Sequence, residues 1–484
     1  MRLLLAATAL AAALLTGAPA ALGASIGAND DSAKHQPDGG LEMYTQMAEL
    51  GLKQTVIGVR FLPSQPMLIQ DKPQLDRVVP SALETGLDVV FAVYPYPPRE
   101  IEAGLGSASL FGSYVGALAS IYPEVKRFVI GNEPNQPAFW RPQFTRTGTN
   151  ASAAAFGPYL AAAYDALDAV DPDITVVGIG LSPRGNDKPD AKSNILTSPV
   201  RFLRALGAWY RKSGRDRPLM DAFSFHPYPN KNTDPLERGY PWPNVGFANL
   251  DRMKQALWDA FHDTPQPTTL DGLRLHLDEI GWQVDTSGRP GYRGAENVPV
   301  TDELTQALIY GELIRRAACD PDVAEVSFFG FRDDGLRTGF QAAVYRADGS
   351  ARPSADAVRL AVADIAAGCA GTPKPWQPVD DVVGALVEVG AQTPALSATV
   401  AAGEDARGTV CTTLLFAAGS DDAFARALGS LSTACQGVAV AGLRRTSVTL
   451  PAFTAGSDLE ITVELRAEAN ESRRTLVTST TRLR

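Results

Sequence analysis

The chain has 484 residues, of which 45% are hydrophobic and 20% charged, and its formal net charge is −10. A chain this long exceeds one compact core, so two domains are expected. The composition is that of a globular protein, and the acidity argues against binding to nucleic acid or anionic lipid, while a neutral carbohydrate would not be repelled.

The first stretch reads as a leader. Arg2 precedes an apolar run from Leu3 to Leu15, and Ala18-Pro19-Ala20 forms a small-residue cleavage pattern, with Gly23-Ala24 as a second one. Residues 1–24 are therefore expected to be a secretory signal. The apolar run is shorter than the ~20 residues of a spanning helix, and no later run reaches that length. The expectation is a secreted protein with no membrane insertion. An excess of Arg and Ala over Lys fits a GC-rich bacterial source.

Strand-like and helix-like segments then alternate. Short apolar runs predict strands at 25–29, 55–62, 87–93, 128–130, 174–181, 220–225, 273–277 and 323–329. Helical spacing predicts helices at 41–50, 74–84, 110–121, 156–170, 199–212, 250–261, 302–318 and 354–366, with stops such as Gly51, Gly86 and Asp171-Pro172. Such alternation requires a parallel sheet with helical crossovers. Eight units point to an α/β fold of the (β/α)8 TIM barrel type over 25–371. No Gly-x-Gly-x-x-Gly turn follows the first strand, which weakens the doubly wound alternative.

Residues 372–378 form a Pro-rich linker. Beyond it, 379–484 carries short β-rich segments at 385–389, 397–400, 409–416, 437–441, 447–450 and 459–465, separated by Gly and Asp turns. This predicts a small all-β sandwich domain, with 423–428 as a helical excursion. It holds no tryptophan, which favours a spacer over a sugar-binding module. Of the four cysteines, chain order favours Cys319–Cys369 and Cys411–Cys435 as disulfides in an exported protein, free buried thiols being the alternative. No spacing resembles a zinc site.

Two carboxylates stand out. Phe128-Val129-Ile130 breaks at Gly131, and Asn132-Glu133 follow before Pro134 ends any sheet pairing. A carboxylate at the mouth of a buried strand has its pKa raised by burial and suits catalysis, although a lone one is as readily a turn or helix-start residue. Glu279 follows the seventh strand in a matching setting. In a closed eight-stranded barrel these strand ends face each other, and two opposed carboxylates are the machinery of glycoside hydrolysis.

Ile130-Gly131-Asn132-Glu133-Pro134-Asn135 resembles the Asn-Glu-Pro motif after strand four of retaining glycoside hydrolases in the clan A (β/α)8 superfamily, which includes cellulase-like and β-xylosidase-like enzymes. Leu277-Asp278-Glu279-Ile280-Gly281-Trp282 resembles its strand-seven nucleophile motif. The resemblance implies Glu133 as acid/base, Glu279 as nucleophile and carboxyl groups ~5–5.5 Å apart. It further implies that Asn132 binds the sugar 2-hydroxyl and that Arg60 keeps the nucleophile ionised. One of His226 and Tyr228 would touch the nucleophile. Alternation along a strand turns Asp278 away from the face of Glu279. Candidate aromatic platforms are Trp282, Trp140, Tyr94, Tyr96 and Trp242. The superfamily's strand-eight tryptophan is absent from Phe328-Phe329-Gly330-Phe331-Arg332, so Phe331 or Trp282 would take its place. The long loop 229–245 is expected to wall the cleft.

The sequence thus reads as an exported monomeric retaining glycosidase acting on a β-linked carbohydrate substrate, with no cofactor and no metal. A transglycosylase and a non-catalytic glycan-binding barrel are the alternatives.

Overall fold

The computed structural model describes residues 23–369 except 193, 194 and 242, then 373 and 375–378, and beyond these the backbone of seven strands between 385 and 483. The leader, apart from its last two residues, the 423–428 excursion and Trp242 lie outside the described residues. No described helix is long and apolar enough to cross a membrane.

Eight parallel strands close into a barrel in sequence order: β1 (Ser25–Asn29), β2 (Gln54–Phe61), β3 (Asp88–Pro95), β4 (Arg127–Ile130), β5 (Thr175–Leu181), β6 (Ala222–Phe225), β7 (Arg274–Ile280) and β8 (Val323–Phe329). β8 returns to pair with β1, from Ser25 opposite Glu325 to Asn29 opposite Phe329. The crossovers carry α1 (Leu41–Glu49), α2 (Lys72–Glu84), the short α3 (Pro98–Glu102), α4 (Ala108–Ile121), α5 (Ser152–Val170), α6 (Pro199–Ser213), α7 (Leu250–Phe261) and α8 (Glu303–Ala318), and α9 (Pro353–Ala366) follows β8. Every expected barrel strand and helix is present, with bounds shifted by a few residues. α5 begins a turn before its apolar periodicity, because Ser152-Ala153-Ala154-Ala155 has helix propensity without large apolar side chains.

Strand alternation sorts the core into two layers. Ile57, Val59, Phe91 and Leu277 face outward into the helix-packed core. Val56, Val90, Val129, Val177 and Ala222 form a small apolar cluster inside the barrel. The interior also holds charge. Glu325 is buried and is bonded by Arg127 and by the Ser327 hydroxyl at 3.1 Å, with His276 Nδ1 at 3.3 Å. Burial works against its charge, but His276 and Arg127 outweigh that effect and hold its carboxyl below the ordinary range.

Past the linker, seven strands form two antiparallel sheets. One has the order β13 (Arg445–Thr449), β10 (Ala395–Ala402), β9 (Ala385–Gln392). The other runs β12 (Ser432–Val440), β11 (Ala406–Phe416), β14 (Leu459–Ala469), β15 (Ser472–Leu483). β15 escapes a sequence reading because its run of Ser, Thr and Arg has little apolar alternation. Cys411 sits opposite Cys435 in the backbone register; the expected bridge between them lies outside the described side chains.

The Cys319–Cys369 disulfide is present and joins residues 50 apart, tying the end of α8 to the segment after α9. Closing a loop of that length constrains the unfolded chain by about 2–4 kcal/mol. Replacing both cysteines by serine is expected to lower the unfolding free energy of the barrel by that amount in denaturant melts. An unchanged midpoint would show that the bridge contributes nothing.

Candidate active site

The site lies at the C-terminal ends of the strands and is set by two irregularities of the backbone. On the first side, Gly131 follows β4 with φ 113°, and Glu133 itself has φ 43°, in the left-handed region that non-glycine residues avoid. A Cβ on residue 131 would meet the Ile179 carbonyl oxygen at 2.5 Å, so only glycine fits. β5 shifts register against β6 between Ile179 and Leu181. Gly180, at φ 69°, there turns its carbonyl to accept the Glu133 N–H at 2.7 Å. The chain thus holds a strained glutamate against the neighbouring strand's bulge.

On the second side, β7 shifts register against β8, with Leu277 opposite Val326 but Ile280 opposite Phe328. One extra residue sits in β7 and interrupts its alternation. Asp278 and Glu279 consequently both reach the site, whereas regular alternation after the outward-facing Leu277 would bring only one of them there. Asp278 accepts from the Ser224 hydroxyl at 2.5 Å and lies 3.6 Å from His226 Nε2.

His226, two per cent exposed, is the centre of the arrangement. Its Nδ1 is 3.1 Å from Glu133 Oε1 and 3.5 Å from Glu279 Oε2. Tyr228 donates its hydroxyl to Glu279 Oε2 at 3.0 Å, and Asn29 at the end of β1 donates to Glu279 Oε1 at 3.3 Å. Tyr228 is therefore the neighbour that hydrogen-bonds Glu279, while His226 bridges the two glutamates.

The electrostatics follow from burial and unequal numbers. Burial pushes Glu279 up to about 7 against the pull of the His226 cation, with Glu133 and Asp278 adding to the rise. Burial also raises Asp278. For His226, burial opposes the charge, but Glu279, Asp278 and Glu133 overcome it and bring the imidazole to about 10. The Tyr228 phenol is pushed well above its ordinary value by burial and by Glu279, so it stays a donor. One atom each from Glu133, His226 and Glu279 lies within 4.8 Å of the others, a spacing that could gather around one cation. A metal would first have to displace the proton that the carboxylates hold on His226.

Other candidate residues are placed differently. Asn132, half-buried, precedes Glu133 on the same turn. Arg60 is exposed; its Nε meets the Tyr94 hydroxyl at 3.4 Å and its guanidinium lies over the Tyr96 ring at 5.1 Å. Its side chain thus meets these two rings, and the donors on Glu279 come from Asn29 and Tyr228. Trp140 is buried edge-on against Phe156 and Tyr159. Trp282 is buried too, donating its indole N–H to the Asp234 carbonyl at 2.9 Å. Phe331 is buried and its backbone N–H binds Asp30 at 2.7 Å. These three rings are buried in the core outside the barrel and offer no platform to a sugar.

The half-buried aromatic surface beside the carboxylates is instead Tyr228, Phe329 and Phe340, in edge-on contact at 5.3–6.2 Å. Phe329 was legible as the last residue of β8. Phe340 arrives from a loop with no periodicity to mark it. A cavity of about 590 Å³ opens from Glu133 and Tyr228 and is walled by loop residues from Pro229 to Asn232, as expected for loop 229–245.

No family model matches the chain, and no curated protein matches it in sequence. Among solved structures it is similar to a family 39 glycoside hydrolase from Bacteroides cellulosilyticus WH2, at 15% identity and TM-score 0.48, over 88% of this chain and 81% of that one. It is also similar to GH5_18 from Streptomyces cattleya in complex with GlcNAc, at 16% identity and TM-score 0.48, over 73% and 83%. A third likeness is to xylanase 10B from Thermotoga maritima, at 15% identity and TM-score 0.42, over 71% and 96%.

The raised imidazole makes stability depend on pH. Because the folded state binds this proton more tightly than the unfolded chain, its contribution is complete below the ordinary value of 6.5 and is lost as pH rises through about 10. Denaturant melts at about pH 6 and about pH 9.5 should show the parent losing stability. His226→Gln should lose less over the same interval. Equal losses in the two proteins would count against a cationic His226.

Proposed function

We propose that this chain is an exported retaining glycoside hydrolase that cleaves β-glycosidic bonds by double displacement, with Glu133 as acid/base and Glu279 as nucleophile. The observation that carries the reading is the pair of carboxylates from β4 and β7, whose nearest oxygens and the His226 nitrogen lie within 4.8 Å of one another. That spacing is nearer the ~5–5.5 Å carboxyl separation of retaining enzymes than the ~6.5–9.5 Å of inverting ones. The leader pattern at 1–24 and the Cys319–Cys369 bridge support export.

The roles divide by environment. Glu279 has a donor on each oxygen, Asn29 on one and Tyr228 on the other, and both favour the ionised form that must attack. Glu133 lines the open cavity, where a leaving group would depart. In the first step a Glu279 oxygen bonds the anomeric carbon as the glycosidic bond breaks, and the proton on Glu133 passes to the leaving oxygen. In the second, water attacks the same carbon, gives its proton to Glu133 and frees Glu279. Tyr228, Phe329 and Phe340 supply apolar surface for the C–H face of a sugar ring.

Hydrolysis of aryl β-glycosides, with glucans, mannans and xylans alongside, tests the reading. Glu279→Ala should abolish turnover, and added azide should restore part of it with inverted product. Glu133→Gln should cost about 10²–10⁴-fold on substrates with poor leaving groups and less on activated aryl glycosides. Full activity in either variant would overturn its assignment.

A second test uses pH. Since Glu279 must be ionised and burial sets it near 7, kcat/KM should fall as pH drops below about 7. His226→Gln removes the cation that favours the ionised form, so the acid limb should move to higher pH. A limb unmoved by the substitution would place the controlling proton elsewhere.

A further inference from the structure

The cavity beside Glu133 is cationic in a protein whose formal net charge is −10. Arg184, on the loop after β5, and Lys231, on the loop after β6, both line it, and both are exposed. Glu133 is the one carboxylate in that lining.

Neither cation is neutralised locally. Arg184 donates to the Asn230 carbonyl at 3.2 Å and meets the Tyr240 hydroxyl, both neutral partners. The nearby Asp234 is turned elsewhere: one oxygen accepts the Lys231 backbone N–H at 3.1 Å and the other lies 3.9 Å from Arg238. Among the described residues no ion pair takes the side chain of Arg184 or Lys231. Gln136, Ser182, Asn232 and Gln283 fill the rest of the polar wall. A site for neutral sugars needs only such amides and hydroxyls with an aromatic face. Two cations without an ion-pair partner on one cavity wall attract an anion.

The position of the cavity says which part of the substrate would carry it. Space beyond the proton donor receives the leaving group, and this cavity opens from Glu133. Resting on the glycosidase reading above, we propose that the substrate is an anionic saccharide whose leaving-group side bears an oxyanion, a carboxylate or a sulfate, held by Arg184 and Lys231.

The test is retention of the full-length Glu133→Gln protein on a panel of neutral, uronate-bearing and sulfated oligosaccharides built on glucan, mannan and xylan backbones. Members carrying an anion should bind at least about tenfold tighter than their neutral counterparts, equivalent to about 1.4 kcal/mol. The preference should shrink with added salt. Adding Arg184→Gln and Lys231→Gln should erase it; both side chains are exposed, so the fold should persist. The uronate and sulfate arms tell which oxyanion is recognised. Equal retention of neutral members, a preference that survives the double substitution, or no retention of any anionic member would overturn the proposal. Anion-selective binding with no hydrolysis by the parent would strike the catalytic reading and leave this one standing.

Discussion

A shortage of positive charge at the mouth of the barrel governs the site. Three carboxylates, Glu133, Asp278 and Glu279, face one buried imidazole. Burial penalises every charge in such a place, so full ionisation of all four groups is costly. The arrangement settles by holding a proton on His226 and raising Asp278 and Glu279 above ordinary carboxylates. On the proposed double displacement Glu279 must be ionised to attack, and the His226 cation and the Tyr228 hydroxyl work toward that form against its burial.

Backbone geometry creates the shortage. A regular strand would send Asp278 and Glu279 to opposite faces, and the extra residue in β7 brings both to the site. A regular β5 would point the Gly180 carbonyl along its own ladder, and its bulge makes that carbonyl an anchor for the Glu133 N–H. The left-handed conformation of Glu133 costs on the order of 1–3 kcal/mol. Its persistence depends on that anchor and on Gly131, where a side chain would strike the Ile179 carbonyl.

Periodicity made the barrel legible in the sequence, because strand and helix repeats differ and each unit ends in a Gly or Pro signal. Glu133 and Glu279 were legible because each stands directly beyond an apolar run. Asn29 ends β1 in the same way, yet nothing local distinguishes it from a turn residue; its link to Glu279 spans 250 residues. Arg60 could be placed at a strand end, but its side-chain direction depends on Tyr94 on β3 and Tyr96 just beyond it. The tryptophans misled for a physical reason: Trp140 and Trp282 follow strand ends in sequence, and large rings there fill the space between barrel and loops as readily as they face a ligand.

The two ends of the barrel show how partners, more than burial, decide what a glutamate does. Glu325 and Glu279 both pay the desolvation penalty. Glu325 has His276, Ser327 and Arg127, the last shared only with the exposed Asp88, and its carboxyl is held below the ordinary range. Glu279 shares a single cation with two other acids and rises to about 7. Supplying the lower end with cations produces a buried ion cluster beside the apolar interior of the barrel. Withholding them at the upper end leaves a carboxyl able to change state near neutral pH. On the proposed reading reactivity resides in the under-partnered end, and Arg184 and Lys231 line the cavity beside it, where the proposed anion would meet them.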